Sequence, residues 1–224
     1  MLRKVFREDR GVTGWLPEGK FHPLVLIPAI ITLAWSLCMV AAPLSLPAGS
    51  VEDLSGSVGI VDNANQTAGM NPFARWVYEG GDVNCHQKSS RSFYINGNEM
   101  PYCARDVGIF FGMAIGTMFS LYFRVELRLR HIVAGLLPIG IDGGMQLLGF
   151  WESINPVRVA TGGLAGFVTG LALGYIFYVI ECALRDRRIA RAQATSGGAA
   201  AFGAQPRAQD AKDDVEDKYG RDQA

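Results

Sequence analysis

The sequence lacks a net charge, because its 21 lysine and arginine residues are matched by 21 aspartate and glutamate residues. A chain with balanced charge exerts no general attraction on nucleic acid, so we expect no nucleic-acid partner. The sequence also lacks a recognised nucleophile motif, and it therefore assigns no enzyme activity. Charge is absent as well from several long stretches of a chain that is 49% hydrophobic and contains 27 glycines. That combination indicates membrane helices rather than a soluble core.

Four stretches have the length and composition of membrane-spanning helices: residues 24–46, 107–123, 132–151 and 156–183. The first carries no charge over 23 residues, which at about 1.5 Å per residue exceeds the roughly 30 Å of membrane hydrocarbon. The third contains one carboxylate, Asp142. We therefore expect an all-α integral membrane protein with four transmembrane helices and an external loop, residues 47–106, that contains a hairpin.

Lysine and arginine residues concentrate in the segments that flank these stretches. They precede the first stretch, lie between the second and third, and follow the fourth. Because cytoplasmic flanks carry the excess of these residues, we expect a multi-pass protein of the cell membrane with both termini in the cytoplasm. Residues 1–23 are predicted to form an interfacial segment, and residues 192–224, which are poor in apolar side chains, a disordered tail.

Glycines recur every four residues in two of the predicted spans. They are Gly108, Gly112 and Gly116 in the second span, and Gly162, Gly166, Gly170 and Gly174 in the fourth. Such a glycine zipper clears one face of a helix for close backbone contact with another helix. The spacing predicts that the second and fourth spans touch, either within one chain or across a homo-oligomer.

The segment from Cys85 to Asp106 holds most of the reactive side chains of the loop. Asn96-Gly97 in its middle has the residue types of a hairpin turn, and a hairpin there places Cys103 near Cys85 and His86. Together with Asp106, these side chains have the composition of a four-ligand zinc site. Two cysteines outside the cytoplasm are equally suited to a disulfide, so metal binding and a Cys85–Cys103 bridge both remain open.

A second group of polar residues is expected at the same side of the membrane: Arg91, Arg105, Asp142, Gln146, Glu152, Asn155 and Arg158. Asp142 is the costliest of them, because the eleventh position of a span lies near the bilayer centre, where a carboxylate costs about 2.5–3.5 kcal/mol. Gln146 lies one turn further along the same helix face. The carboxylate is interpreted either as part of a structural hydrogen-bond network or as the centre of a functional pocket.

Three motifs carry a family resemblance: CHQ-x3-RSF, PYCARD-x-GIFFG and IDGGMQLLGFWESINPVRVATGG. In this order, over residues 84–166, they resemble a family of prokaryotic predicted membrane proteins catalogued as domain of unknown function 2085. The second motif of that family usually reads CARC, and Asp106 stands here in place of the last cysteine. The resemblance implies a metal site more than a disulfide, with two alternatives: Asp106 is a substitute ligand, or this member has lost the ion. It implies no activity.

The polar site suggests a function in binding a lipid headgroup or another anionic amphiphile, with the arginines meeting the anion. Membrane lipids are then the expected partners, alongside a homo-oligomer or a membrane complex. An accessory or assembly subunit and a small transporter that uses Asp142 are the alternative hypotheses. An enzyme that uses a metal-bound water, or Asp142 as a base, is a further hypothesis.

Overall fold

The computed structural model describes residues 22–123 and 127–203 of the chain. Helices α1 (Pro23–Leu44), α2 (Ala64–Thr67) and α3 (Pro72–Asn84) come first, and a short 3-10 turn (Ser89–Arg91) leads into strands β1 (Ser92–Ile95) and β2 (Asn98–Cys103). Helices α4 (Ala104–Tyr122), α5 (Leu129–Leu147) and α6 (Asn155–Gly203) follow. The described protein is therefore mostly helical, with one two-stranded antiparallel sheet.

Three of the described helices are long and apolar enough to cross a membrane: α1, α4 and the Asn155–Ala194 part of α6. Helix α5 is not among them, because Arg130, His131, Asp142 and Gln146 lower its mean hydropathy. The third of the four predicted spans is thus a helix whose composition alone does not establish a crossing.

Helix boundaries differ from the predicted ones at several places. Helix α4 begins at Ala104, so Arg105 and Asp106 lie in its first turn rather than in the preceding loop. Helix α6 is described to Gly203, beyond residue 192 where the predicted tail begins, and the alanine and arginine residues after Glu181 favour helix. The predicted interfacial residues 1–21 and tail residues 204–224 lie outside the described residues.

The hairpin turns at Asn96 and Gly97, whose φ angles of 56° and 72° are those of a tight turn between twisted strands. The next residue, Asn98, is fully buried and anchors the hairpin to the end of α1. Its Oδ1 accepts hydrogen bonds from the Ser50 and Val51 N–H groups, and its Nδ2 donates to the Pro43 and Pro47 carbonyls. All four hydrogen-bonding positions of this amide are satisfied, which fixes the hairpin on the helix.

The underside of the hairpin packs on aromatic and apolar side chains of α1 and α4. Tyr102 lies edge-on to Trp35 and to Phe110, with ring centroids 6.1 and 5.7 Å apart. Met39 and Met100 are buried in the same cluster, which also contains Cys85. Edge-to-face aromatic pairs of this kind contribute about 0.5–1.5 kcal/mol each beyond the area that they bury.

Helices α4 and α6 approach each other closely at several of their glycines. A Cβ atom added to Gly112 would lie 2.9 Å from the Cα of Gly163 and would overlap its carbonyl oxygen. Gly166 is placed in the same way against the backbone of Ile109. Because the backbones touch from the first turns onward, the contact brings Arg105 of α4 close to the beginning of α6.

The buried carboxyl of Glu99 gives the hairpin a pH-dependent stability. Its Oε2 accepts a hydrogen bond from the Leu54 N–H at 3.0 Å, and the Tyr78 hydroxyl donates to its backbone carbonyl at 2.6 Å. Burial away from water raises the pKa of this carboxyl above its ordinary value of 4.5. Relative to the unfolded chain, the fold therefore shifts this carboxyl toward its protonated form.

We expect the free energy of unfolding to fall as the pH rises above about 4.5, because the unfolded state then releases the Glu99 proton while the folded state retains it. The fall ends once the pH passes the raised pKa of the folded state. Glu99→Gln removes this contribution, so its stability relative to wild type should improve with pH. Thermal unfolding of the solubilised protein between about pH 4 and pH 8 measures the difference. A difference that does not change with pH contradicts the prediction.

Candidate functional site

The end of α3 sets the position of Cys85. Its N–H donates to the Gly81 carbonyl at 2.8 Å and closes the last turn of the helix. Gly81 allows β2 to pass directly beside α3, since a Cβ at this position would overlap the Pro101 carbonyl oxygen. The buried Cys85 thiol thereby meets the end of β2, where its Sγ accepts a hydrogen bond from the Cys103 N–H at 3.4 Å.

Gln87 turns the chain immediately after Cys85. It has a φ angle of 41°, in the left-handed region that side-chain-bearing residues seldom adopt. Its buried side chain compensates for this conformation, because Nε2 donates to the Pro101 carbonyl at 2.8 Å. His86 is consequently left exposed between two buried residues. The glutamine of the CHQ motif thus has a structural contact that sequence analysis did not assign.

Cys85, Cys103 and Asp106 form a compact group of potential metal ligands. One ligand atom of each lies within 4.8 Å of the others, and Cys103 Sγ is 3.3 Å from Asp106 Oδ2. His86, which was predicted as a fourth member, is not part of this group, because the turn at Gln87 leaves it on the surface. Both cysteines are free thiols in this structure.

The pKa values of the two thiols are shifted in opposite directions. A hydrogen bond from the Cys85 thiol lowers the pKa of Cys103, and the same hydrogen bond, together with burial, raises the pKa of Cys85. Cys103 is therefore the thiol that ionises first. It precedes the first turn of α4, where the helix dipole also favours a negative charge.

Arg105 joins α4 to α5. Its Nη2 donates to Asp142 Oδ2 and, at 3.3 Å, to Gln146 Oε1. The Asp142 side chain is only 3% exposed, so this ion pair is largely removed from water. Asp142 also lies five residues before the end of α5, about 7.5 Å along the axis, rather than at the centre of a span.

The early end of α5 explains this difference. Gly149 has a φ angle of 74°, and the Gly149 and Phe150 N–H groups donate to the Gln146 and Met145 carbonyls. These contacts are those of a Schellman motif, which ends a helix at a glycine in the left-handed conformation. The predicted span to residue 151 therefore stops at Leu147.

Arg158, in the first turns of α6, is the most buried cation of the group. Its side chain is 3% exposed, and Nη1 donates to Asn155 Oδ1 at 2.9 Å. Within the described part of the chain, its Nε and Nη2 have no hydrogen-bond partner. The nearest carboxylate, Glu152, is 3.9 Å from Nη2 and 70% exposed, and it is closer to Arg91, at 3.3 Å.

These residues surround a cavity of about 190 Å³, which we call the basic cavity. Eight of the predicted site residues line it: Cys85, His86, Arg91, Cys103, Arg105, Asp106, Gln146 and Arg158. Asp142, Glu152 and Asn155 do not line it, and they contact the arginines that do. Sequence analysis did not select the remaining lining residues, Val58, Asn84, Gln87 and Lys88. Of these, Lys88 could have been selected from the sequence, since it lies inside the CHQ-x3-RSF motif.

The family model described as "Predicted membrane protein (DUF2085)" matches residues 85–173, from Cys85 to the middle of α6. An uncharacterized protein of Methanocaldococcus jannaschii is 36% identical over 110 residues, which cover 46% of this chain and 66% of that protein. An uncharacterized protein of Methanothermobacter thermautotrophicus is 36% identical over 92 residues, which cover 40% of this chain and 81% of that protein. No solved structure matches the chain. The chain therefore belongs to the DUF2085 family of predicted membrane proteins.

Proposed function

We propose that the basic cavity binds the anionic headgroup of a membrane amphiphile, such as the phosphate of an acidic phospholipid. Four cationic side chains line the cavity, namely Lys88, Arg91, Arg105 and Arg158, against the single carboxylate of Asp106. A phosphate group has the charge and the acceptor oxygens that these donors require. Its acyl chains would lie along the apolar helices beside the cavity.

The burial of the Arg158 guanidinium without enough hydrogen-bond acceptors is the observation that carries this proposal. A guanidinium that is almost fully buried loses its hydration, and two of its nitrogens gain no protein acceptor in exchange among the described residues. The glycine contact between α4 and α6 moreover holds Arg105 close by, so two like charges share the cavity. An anion between them would satisfy the free nitrogens and relieve the repulsion.

Helix α5 would complete a four-helix membrane bundle in this proposal. Leu129, Val133, Leu137 and Ile141 recur every four residues and are exposed, while Asp142 is buried on the opposite side. Such a face suits contact with lipid, and the polar side chain turned inward meets Arg105. In this proposal α5 crosses the membrane with its apolar face toward lipid, and its polar residues form part of the site.

The orientation that we propose places the basic cavity at the outer face of the cell membrane. The cavity lies where α4 and α6 begin and α5 approaches its end, so the connection between α4 and α5 is at the other end of these helices. That connection and its edges carry Arg124, Arg128 and Arg130. The excess of arginine marks it as cytoplasmic, which leaves both termini in the cytoplasm.

The rival functions have less support. The glycine faces of α4 and α6 contact each other within the chain and are therefore not free to dock a partner subunit. Asp142 lies near a helix end, whereas the transporter hypothesis places its carboxylate at the middle of a membrane span. Binding of an anionic headgroup is compatible with both the glycine contact between α4 and α6 and the pairing of Asp142 with Arg105.

Arg158→Gln is expected to weaken binding of anionic lipid by about ten- to hundred-fold, because a charge-assisted hydrogen bond contributes about 1.5–3 kcal/mol. Native mass spectrometry of the full chain would compare phosphatidylglycerol with phosphatidylcholine. Inorganic phosphate, added as a competitor, distinguishes a site for the phosphate group alone from one that also needs the lipid. Arg91→Gln, at a more exposed position of the same cavity, should act in the same direction with less risk to folding.

Arg75→Gln is the matched control, since Arg75 pairs with Glu79 on the surface of α3 and does not line the basic cavity. It should bind lipid as the wild type does. The proposal is wrong if the wild type shows no preference for the anionic lipid, or if both cavity variants keep that preference while the thermal unfolding profiles show them to be folded.

A further inference from the structure

We propose that Cys85, Cys103 and Asp106 bind one zinc-type divalent ion at the wall of the basic cavity, and that a phosphate oxygen of the bound anion completes its coordination. The metal half of this inference stands on the three side chains. The ligand half rests on the proposed function. A zinc ion with three protein ligands and one exchangeable position is the arrangement found where zinc contacts a substrate or a water.

The distances fit such an ion. In tetrahedral coordination with bonds of about 2.3 Å to sulfur and 2.0 Å to oxygen, neighbouring ligand atoms lie about 3.5–3.8 Å apart. Cys103 Sγ and Asp106 Oδ2 are 3.3 Å apart, and the three ligand atoms all lie within 4.8 Å of one another. Side-chain rotations that move the ligand atoms by about 1 Å are enough to close this group around an ion.

The ligand chemistry selects the metal. Two thiolates favour zinc over magnesium or calcium, which prefer oxygen ligands alone. The backbone also supports a thiolate at Cys85, because the Cys103 N–H points at its sulfur. Among the described residues the group contains no fourth histidine, cysteine or acidic side chain. The remaining coordination position is therefore left to a molecule in the cavity.

The charges of the surroundings fit the same ligand set. Two thiolates and one carboxylate around a divalent ion leave one net negative charge, and Arg105 and Arg158 line the same cavity. The Arg158 side chain is 3% exposed and lines this cavity, and among the described residues only one of its three guanidinium nitrogens has a hydrogen-bond partner. A phosphate group there could contact the ion with one oxygen and the arginines with the others.

The metal is tested on the purified full chain by elemental analysis and by replacement with cobalt, whose bonds to thiolate absorb in the near ultraviolet. We expect about one zinc ion per wild-type chain. Cys85→Ser and Cys103→Ser should each reduce the metal affinity by about 100-fold or more, the upper end of what outer contacts alone contribute. Cys38→Ser, which removes a cysteine of α1 outside the group, should leave both measurements unchanged.

Asp106→Cys should retain the metal and strengthen the cobalt–thiolate absorption, because a third sulfur replaces the oxygen ligand. A wild-type protein that holds no metal and shows no such absorption with cobalt contradicts the inference. So does a Cys85–Cys103 disulfide, found by mass spectrometry, in protein purified without reductant. The inference is also contradicted if the Cys38→Ser protein loses as much metal as the Cys85→Ser protein.

Inorganic phosphate, added to the cobalt-loaded protein, separates the two halves of the inference. It should change the cobalt spectrum of the wild type, whereas Arg158→Gln should bind cobalt normally and respond to phosphate only at about ten-fold higher concentration. A spectrum that phosphate leaves unchanged overturns the ligand half. Preference for anionic lipid without any metal overturns the metal site and leaves the proposed function intact.

Discussion

Gly112→Leu is expected to prevent the folded protein from accumulating, because it forces α4 away from α6. An added Cβ already lies 2.9 Å from the Gly163 Cα and overlaps the Gly163 carbonyl oxygen. Backbone atoms cannot rotate out of the way as a side chain can, so the helices would have to separate. Overpacking costs about 1–3 kcal/mol where side chains can adjust, and we expect about 3 kcal/mol or more at this position.

Gly140→Leu is the matched control for this substitution. Gly140 also lies inside a helix, α5, but nothing is within 4 Å of a Cβ added there. Leucine should be tolerated at that position and favours helix by about 0.5–1 kcal/mol relative to glycine. Yield and monodispersity of the detergent-solubilised protein measure both variants. Normal accumulation of Gly112→Leu, or equal loss of Gly140→Leu, contradicts the backbone contact.

Much of the fold was predictable, because its signals are local in the sequence. The absence of charge over residues 24–46 indicates a long apolar helix, and the structure places α1 at Pro23–Leu44. The turn at Asn96-Gly97 follows from the two residue types that best tolerate the left-handed conformation. The four-residue spacing of glycines directs attention to the face of α4 on which Gly108, Gly112 and Gly116 lie close to the α6 backbone.

Helix ends were harder to predict, because they depend on contacts that the hydropathy of a segment does not record. A hydrophobic run extends to Trp151, yet α5 ends at Leu147 when Gly149 adopts a left-handed conformation. The tail after Glu181 looks polar to a hydropathy scale, yet its alanine and arginine residues continue α6 to Gly203.

Eight of the residues expected at the site line the basic cavity, whereas the individual contacts of these residues were not predictable. Reactive side chains cluster in the sequence around Cys85 and Cys103, which directs attention to the hairpin. The exposure of His86 depends on the φ angle of Gln87, and a left-handed glutamine has no signal in a single sequence. The choice of Arg105 over Arg158 as the partner of Asp142 depends on how three helices pack.

Asp142→Leu is expected to cost about 3–5 kcal/mol, because it leaves the Arg105 guanidinium without a carboxylate partner in a largely buried position. The cost comes from the charge that remains rather than from the ion pair that is lost. Arg105→Met, added to Asp142→Leu, should therefore recover much of the stability, since an apolar pair of similar volume needs no compensation. The stability of Asp142→Asn should lie between that of Asp142→Leu and that of the double variant, because the asparagine amide oxygen can still accept a hydrogen bond from Arg105.

Thermal unfolding of the wild type, the two single variants and the double variant forms a double-mutant cycle for this pair. Arg91→Met is the control for the rescue, since Arg91 pairs with the exposed Glu152 and does not contact Asp142. It should not restore stability to Asp142→Leu. Additive costs of Asp142→Leu and Arg105→Met would show that the two side chains are not coupled, and Asp142 would then need a different partner. A coupling of several kcal/mol, together with anionic lipid binding that survives in the double variant, would assign the pair to holding α4 against α5 rather than to contacting the ligand.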